Sequence, residues 1–217
     1  MSGKWIPIVI FNKPDETKSV LIGKNRLESL TDGIFAFAMT LLVTSLILPR
    51  SAIVTETSGI ALARLLPDFY HYIIAFFVLA AFWVGHHEQL SKIHHLDRNL
   101  LFLNIIGLFF VTLVPFSTSF IGDYSNDVIA TVVFELNLLI LGLIFTIQWY
   151  YATRKYRLVS TEYPESDIRR RMNHQFVIPA ISLFGIVITI LGFDNSTMVY
   201  MASPLVAYAV DRYAKKP

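Results

Sequence analysis

The stretch "RLESLTDGIFAFAMTLLVTSLILP", Arg26 to Pro49, places one acid, Asp32, in a run that is otherwise almost wholly apolar. About 20 such residues suffice to carry a helix across the hydrocarbon of a bilayer. A carboxylate at that depth must be paired or hydrogen-bonded, and it is a functional candidate by default. Working outward, the same apolar density returns along the chain, giving spans at roughly 27–48, 68–91, 99–120, 127–150, 175–193 and 197–211. The expectation is an all-α integral membrane protein with six transmembrane helices. A cytosolic arm, 1–25, precedes the membrane domain, 26–213, and a short tail, 214–217, follows it.

Composition points the same way. Of 217 residues, 54% are hydrophobic and only 16% charged, against about a quarter charged in soluble domains. Mean hydropathy is +0.55. With no cysteine, disulfides, thiolate metal sites and cysteine nucleophiles are excluded. The N-terminal patch "WIPIVIF", residues 5–11, is too short to span, and no small-residue cleavage site follows it, so it reads as an arm or interfacial segment. The turns "GDYSND" (122–127) and "FDNS" (193–196) are short and make their flanking helices antiparallel neighbours. The single clearly soluble loop is "TRKYRLVSTEYPESDIRRR", 153–171.

Orientation follows from the basic residues. With both termini inside, Lys4, Lys13, Lys18, Lys24 and Arg26 lie on the cytosolic side, as do Lys92 and Arg98. Arg154, Lys155, Arg157, Arg169, Arg170 and Arg171 join them, and so do Arg212, Lys215 and Lys216. Of the 18 Lys and Arg residues, only Arg50 and Arg64 fall opposite. This bias also accounts for the basic pI near 8.8 without a nucleic-acid partner. The expected location is the cell membrane, multi-pass, with cytoplasmic termini.

The topology fixes depth. Asp32 lies one to two turns above the cytosolic end of the first helix. "FWVGHHEQL" puts Trp83, His86 and His87 near the cytosolic end of the second, and Asn104 sits about two turns up the third. Asp32, His86 or His87, and Asn104 are therefore expected at one level, with Arg26 just below. Arg26 and Asp32 are six residues apart, on different helix faces, so an imidazole from the second helix is the expected direct partner. Two roles are open for this cluster: a structural lock holding the first helix against the next two, or a proton-sensitive gate.

Other chemistry is thin. The doublets His86–His87 and His94–His95 lack HxxHH or HExxH spacing, so no metal or other cofactor is expected. Lipase-type, Walker and dinucleotide motifs are absent, which argues against an enzyme. There is no TVGYG-like loop and no arginine-repeat voltage sensor. A secondary transporter is the competing class. It calls for Gly- or Pro-broken helices in matching halves, and the first helix has no internal proline although Pro67, Pro115, Pro179 and Pro204 occur elsewhere. Glu135 and Asn137 are further intramembrane polar groups, assigned to interhelical contact. The first helix carries an apolar stripe, Ile34, Phe37, Leu41, Thr44 and Leu48, at spacings of three and four.

"RLESLTDGIFAFAMTLLV", 26–43, resembles the first-helix signature of the transmembrane protein 175 family of potassium channels. Arg26, Asp32, Gly33, Ala36, Thr40, Leu41 and Leu42 match its pattern, with Leu30 and Thr31 standing where the family has Phe and Ser. "FWVGHH" (82–87) and "NLLFLNIIGLFFVTLVPFSTSFIG" (99–122) are similar to its second and third helices. The resemblance implies a six-helix repeat that, present once, assembles as a homotetramer around a pore lined by the first helix. It implies potassium as the permeant ion, with sodium and protons left open, and a hydrophobic constriction in place of a carbonyl filter. Counted from Asp32, the constriction positions are Phe37, Leu41 and Thr44, on the stripe read from spacing. Phe37 is bulkier than the Ile or Leu usual there, and Thr44 is polar where an aliphatic layer is expected.

Overall fold

The computed structural model describes residues 23–46, 57–124 and 127–214. The expected arm through residue 22, Leu48, Arg50 and the tail 215–217 lie outside them. In chain order the helices are α1 (Lys24–Leu41), α2 (Ser58–Arg64), α3 (Leu66–Lys92) and α4 (Arg98–Asp123), then α5 (Val128–Thr153), α6 (Glu165–Gln175), α7 (Val177–Ile190) and α8 (Ser203–Ala214). A 3-10 turn, Leu42–Ser45, extends α1, and another, Ser196–Ala202, precedes α8.

Among the described residues, five helical stretches are long and apolar enough to cross a membrane: Lys24–Ser45, Leu66–Lys92, Arg98–Asp123, Val128–Tyr156 and Glu165–Ile190. The sixth expected span, 197–211, is a shorter apolar stretch, Ser196–Val210, whose first turns are 3-10 helix rather than α-helix. The expected soluble loop is also partly helical, because α6 begins at Glu165 and leads into α7. Glu165 and Asp167 in its first turn complement the helix dipole. The remainder of that loop closes a second small core: Leu158 and Val159 pack with Leu90, Ile93, Leu100 and Trp149, and Ile93 bridges Val159 in antiparallel fashion.

Helix starts follow local chemistry. Asp97 caps α4 by accepting from Leu100 N at 2.8 Å, and Asp127 caps α5 by accepting from Ala130 N at 2.9 Å. Pro115 removes one backbone donor inside α4. The helices pack as a bundle in which α4 against α5 is the most extensive contact, α5 against α7 the next, and α1 lies on α3 and α4.

In lipid, helices associate by close packing, and small residues allow it. A Cβ on Gly107 would sit 2.8 Å from the Phe145 ring, and one on Gly142 would sit 2.7 Å from Pro179 Cγ. These two glycines set the spacing of α4–α5 and α5–α7. Gly142→Ala is expected to destabilise the protein by about 1–3 kcal/mol through overpacking, read as a lowered melting temperature of the purified protein. Gly59→Ala, where a Cβ meets nothing within 4 Å, serves as the control and leaves it unchanged or raised.

Candidate functional site

The rear of α1 is pinned to the bundle. Leu27, Thr31, Phe35, Ala38 and Leu42 recur every three or four residues and are buried, so one continuous stripe faces α3 and α4. Thr31 is the polar member of that stripe. Its hydroxyl donates to Asn104 Oδ1 of α4 at 3.4 Å. With Oδ1 occupied, the amide nitrogen of Asn104 faces His86 of α3, and Nδ2 lies 2.8 Å from Nε2. All three side chains are at most 2% exposed. The imidazole stacks on Phe145 of α5, with ring centroids 4.5 Å apart and 14° between planes, so four helices meet at one level.

Asp32 takes a different partner from the one expected. Trp83 Nε1 donates to Asp32 Oδ1 at 2.9 Å, and neither His86 nor His87 hydrogen-bonds the carboxylate. Trp83 and His86 are three apart on α3, and the indole takes Asp32 while the imidazole takes Asn104. Asp32 lies at the half-buried edge of the α1 stripe and His86 in its buried centre, each bonded to a different donor. His87 is exposed, with its ring 5.9 Å from Trp83. Arg26 is also exposed and makes no ion pair among the described residues. Sequence reasoning missed Phe145, because an aromatic in an apolar helix carries no mark of stacking on a histidine two helices away.

The front of α1 is bare. Phe37 is 63% exposed, Val43 55%, Leu30 45% and Leu41 36%. Gly33, Ala36, Thr40 and Thr44 lie on the same exposed side. Thr40 donates to Phe37 O at 2.8 Å and Thr44 to Leu41 O at 2.7 Å, so each hydroxyl is satisfied by its own helix. The structure moves one member of the expected stripe: Ile34 is half-buried and packs against the hydrophobic core. Position 34 lies a further 60° around α1 from Phe37, toward α3 and α4, because three residues turn a helix by 300°.

A second polar group lies toward the other end of the bundle. Glu135 of α5 is fully buried, with Ser196 Oγ 2.9 Å from its Oε1 and Thr189 Oγ1 3.1 Å from its Oε2. Asn137 Nδ2 donates to Ser117 Oγ of α4 at 3.2 Å. Thr189 and Ser196 were not candidates from sequence, since hydroxyls in apolar stretches look like ordinary spacers.

The sequence profile of the family described as endosomal/lysosomal potassium channel TMEM175 matches residues 26–115. A potassium channel of Streptomyces collinus is 32% identical over 135 residues, covering 59% of this chain and 64% of that protein, just under two thirds of its length. A potassium channel of Chamaesiphon minutus is 30% identical over 148 residues, covering 66% of this chain and 72% of that protein. The fold is similar to the crystal structure of a lysosomal potassium-selective channel TMEM175 homolog from Chamaesiphon minutus, with TM-score 0.72, 21% identity, and coverage of 89% of this chain and 98% of that one. It is also similar to a variant of the potassium channel MtTMEM175 bound to a nanobody fusion, with TM-score 0.60 and 18% identity over 93% of this chain and 95% of that one.

The Asp32–Trp83 bond is testable by a double-mutant cycle. Trp83→Phe removes the indole that donates to Asp32, whereas Asp32→Asn removes the charge. Thermal melts of the two single variants and the double variant are expected to be non-additive by about 0.5–3 kcal/mol. Additive losses would mean that the two side chains do not act as a pair.

Proposed function

Because the chain belongs to the TMEM175 family of potassium channels, we propose that it forms a potassium-permeable leak channel in which four copies surround a pore lined by α1. It is not an enzyme. The observation that carries the proposal is the two-sided burial of α1. Its rear stripe is sealed into the subunit, while Phe37, Thr40, Leu41 and Thr44 stay uncovered by it. In a fourfold assembly that bare face meets its symmetry copies and narrows the ion path, with Ile34 at its margin.

The mechanism rests on the chemistry of that face. Bulky apolar side chains make a constriction that gates by expelling water. An ion must shed part of its hydration to pass, so discrimination depends on dehydration cost and pore width, giving a modest preference for potassium over sodium. Proton passage is tested in the same assay. The constriction works in place of a carbonyl filter, and Thr40 and Thr44 already bond their own backbone. The polar network of Asp32, Trp83, His86 and Asn104 is the lock that holds α1 in register, with Arg26 at the cytosolic boundary and His87 beside Trp83. Both termini face the cytoplasm, and bilayer lipid covers exposed apolar residues such as Phe77, Ile129 and Leu205.

The decisive measurement is potassium, sodium and proton flux into proteoliposomes, with particle symmetry read by electron microscopy. Unitary potassium currents from a fourfold particle are expected, and Phe37→Ala is expected to raise flux several-fold. Unchanged flux in Phe37→Ala removes that ring from the constriction. A twofold particle with saturable counterflow would make the protein a carrier instead.

A further inference from the structure

Glu135 sits in a cluster of oxygens that is short of protons. Ser196 Oγ lies 2.9 Å from its Oε1, and Thr189 Oγ1 lies 3.1 Å from its Oε2. Thr189 Oγ1 is also 2.6 Å from Ser196 Oγ and 2.9 Å from the Gly185 carbonyl. Each hydroxyl has one proton to donate. If the carboxyl group were ionised, the two hydroxyl protons could not serve the Ser196–Oε1, Thr189–Oε2 and Thr189–Ser196 contacts together, and lone pairs would face each other at a fully buried carboxylate. A proton on Oε2, donated to Thr189, lets Thr189 donate to Ser196 and Ser196 donate to Oε1. The Gly185 carbonyl already accepts an α-helical backbone N–H, so its 2.9 Å contact with Thr189 Oγ1 is the one left without a proton of its own.

No cation takes the proton's place. Among the described residues, no Lys or Arg pairs with Glu135. The oxygens stand at hydrogen-bond spacing, closer together than the shell around a sodium or potassium ion. The neighbouring helix closes the remaining space, since a Cβ on Gly185 would lie 2.6 Å from Oε1. A proton is the one positive charge that fits.

The cluster also has a way out. Thr189 and Ser196 both line a cavity of about 490 Å³ at the Asp127 end of the bundle, together with Tyr70, His71, Asp194 and Asn195. Asp194 and Asn195 are exposed, so the cavity reaches the protein surface. His71 is 92% buried there, given its 8% exposure, and its Nδ1 makes no hydrogen bond of good geometry. The groups that face Glu135 or its cavity are His71 and Tyr70 from α3, Asp194 from the turn after α7, and Tyr200, whose hydroxyl donates to Ser182. From α4 only Ile121 lines it, and Asp127 caps the start of α5.

We infer that Glu135 is a proton-binding site separate from α1, loaded through this cavity by way of the Ser196 and Thr189 hydroxyls. The bound proton fastens the Ser196–Ala202 turn to α5 and α7, and Thr197 carries that tie to Tyr70 of α3 at 3.3 Å. Loss of the proton leaves a buried anion among lone pairs and frees the turn.

Infrared difference spectra of the purified protein in lipid, compared in H2O and D2O, test this without any flux measurement, so failure here is distinct from failure of the channel reading. The wild type is expected to show the carbonyl stretch of a protonated carboxylic acid, and Glu135→Gln to lack it. The wild-type melting temperature is expected to fall by about 2–4 °C from mildly acidic to mildly alkaline conditions, while Glu135→Gln, a neutral mimic of the protonated acid, stays level. If Glu135→Gln does not fold, Ser196→Ala carries the test by shifting the band, and an unshifted band overturns the proposal. Absence of the band in the wild type overturns it as well. So does a stabilisation by potassium or sodium that Glu135→Gln abolishes, since that outcome makes the site a cation site.

Discussion

Asn104 is the point on which the arrangement of α1 depends. It is fully buried at a depth where no solvent completes its amide, so Thr31 on one side and His86 on the other must do so. Rotating α1 by a single residue would carry the Thr31 hydroxyl away and leave Asn104 Oδ1 unmet, at a cost of about 1–3 kcal/mol for a buried polar group. The amide therefore fixes which face of α1 is inward. The bare face with Phe37, Leu41 and Thr44 is the geometric remainder of that choice.

The two ends of the bundle are held by different means. At the Asp97 end, Arg157 pairs with Asp97 at 3.3 Å and lies over Tyr151, whose hydroxyl also donates to Asp97. Nearby, Arg171 pairs with Glu88 at 2.8 Å and lies over the Trp149 ring. These contacts are partly exposed, so each contributes modestly and their value lies in the network. At the Asp127 end, the joints are buried hydroxyls around Glu135 and the Tyr200–Ser182 bond. Between the ends, close packing at Gly107 and Gly142 sets the helix spacing around the buried Asn104–His86 and Asn137–Ser117 contacts. A frame locked at both ends and closely packed between them holds α1 by its rear face alone.

Much of the fold was legible because the bilayer imposes a simple rule. A run of about 20 apolar residues leaves a strong mark. The 153–171 segment was less legible: its charges read as a solvated loop, yet Leu158 and Val159 are spaced to pack on Trp149, and Glu165 opens a helix. The level of Asp32, His86 and Asn104 followed from helix direction alone. Their pairing did not, because a donor's reach depends on helix rotation and separation, and these placed the indole of Trp83 nearer the carboxylate than either imidazole.

The sequence by itself determined that the chain is helical and membrane-embedded, the order of its long helices, and which polar side chains share a depth. Those properties are carried by run length and by position along each helix, both of which are linear. Only the tertiary structure decided that Ile34 turns toward the core, that Phe37 stays bare, that Asn104 rather than Asp32 takes His86, and that Glu135 has two hydroxyls and no cation. Each of these depends on the angle of one helix about its axis relative to its neighbours, and that angle is set by close packing at glycines and by the need to satisfy every buried polar group at once.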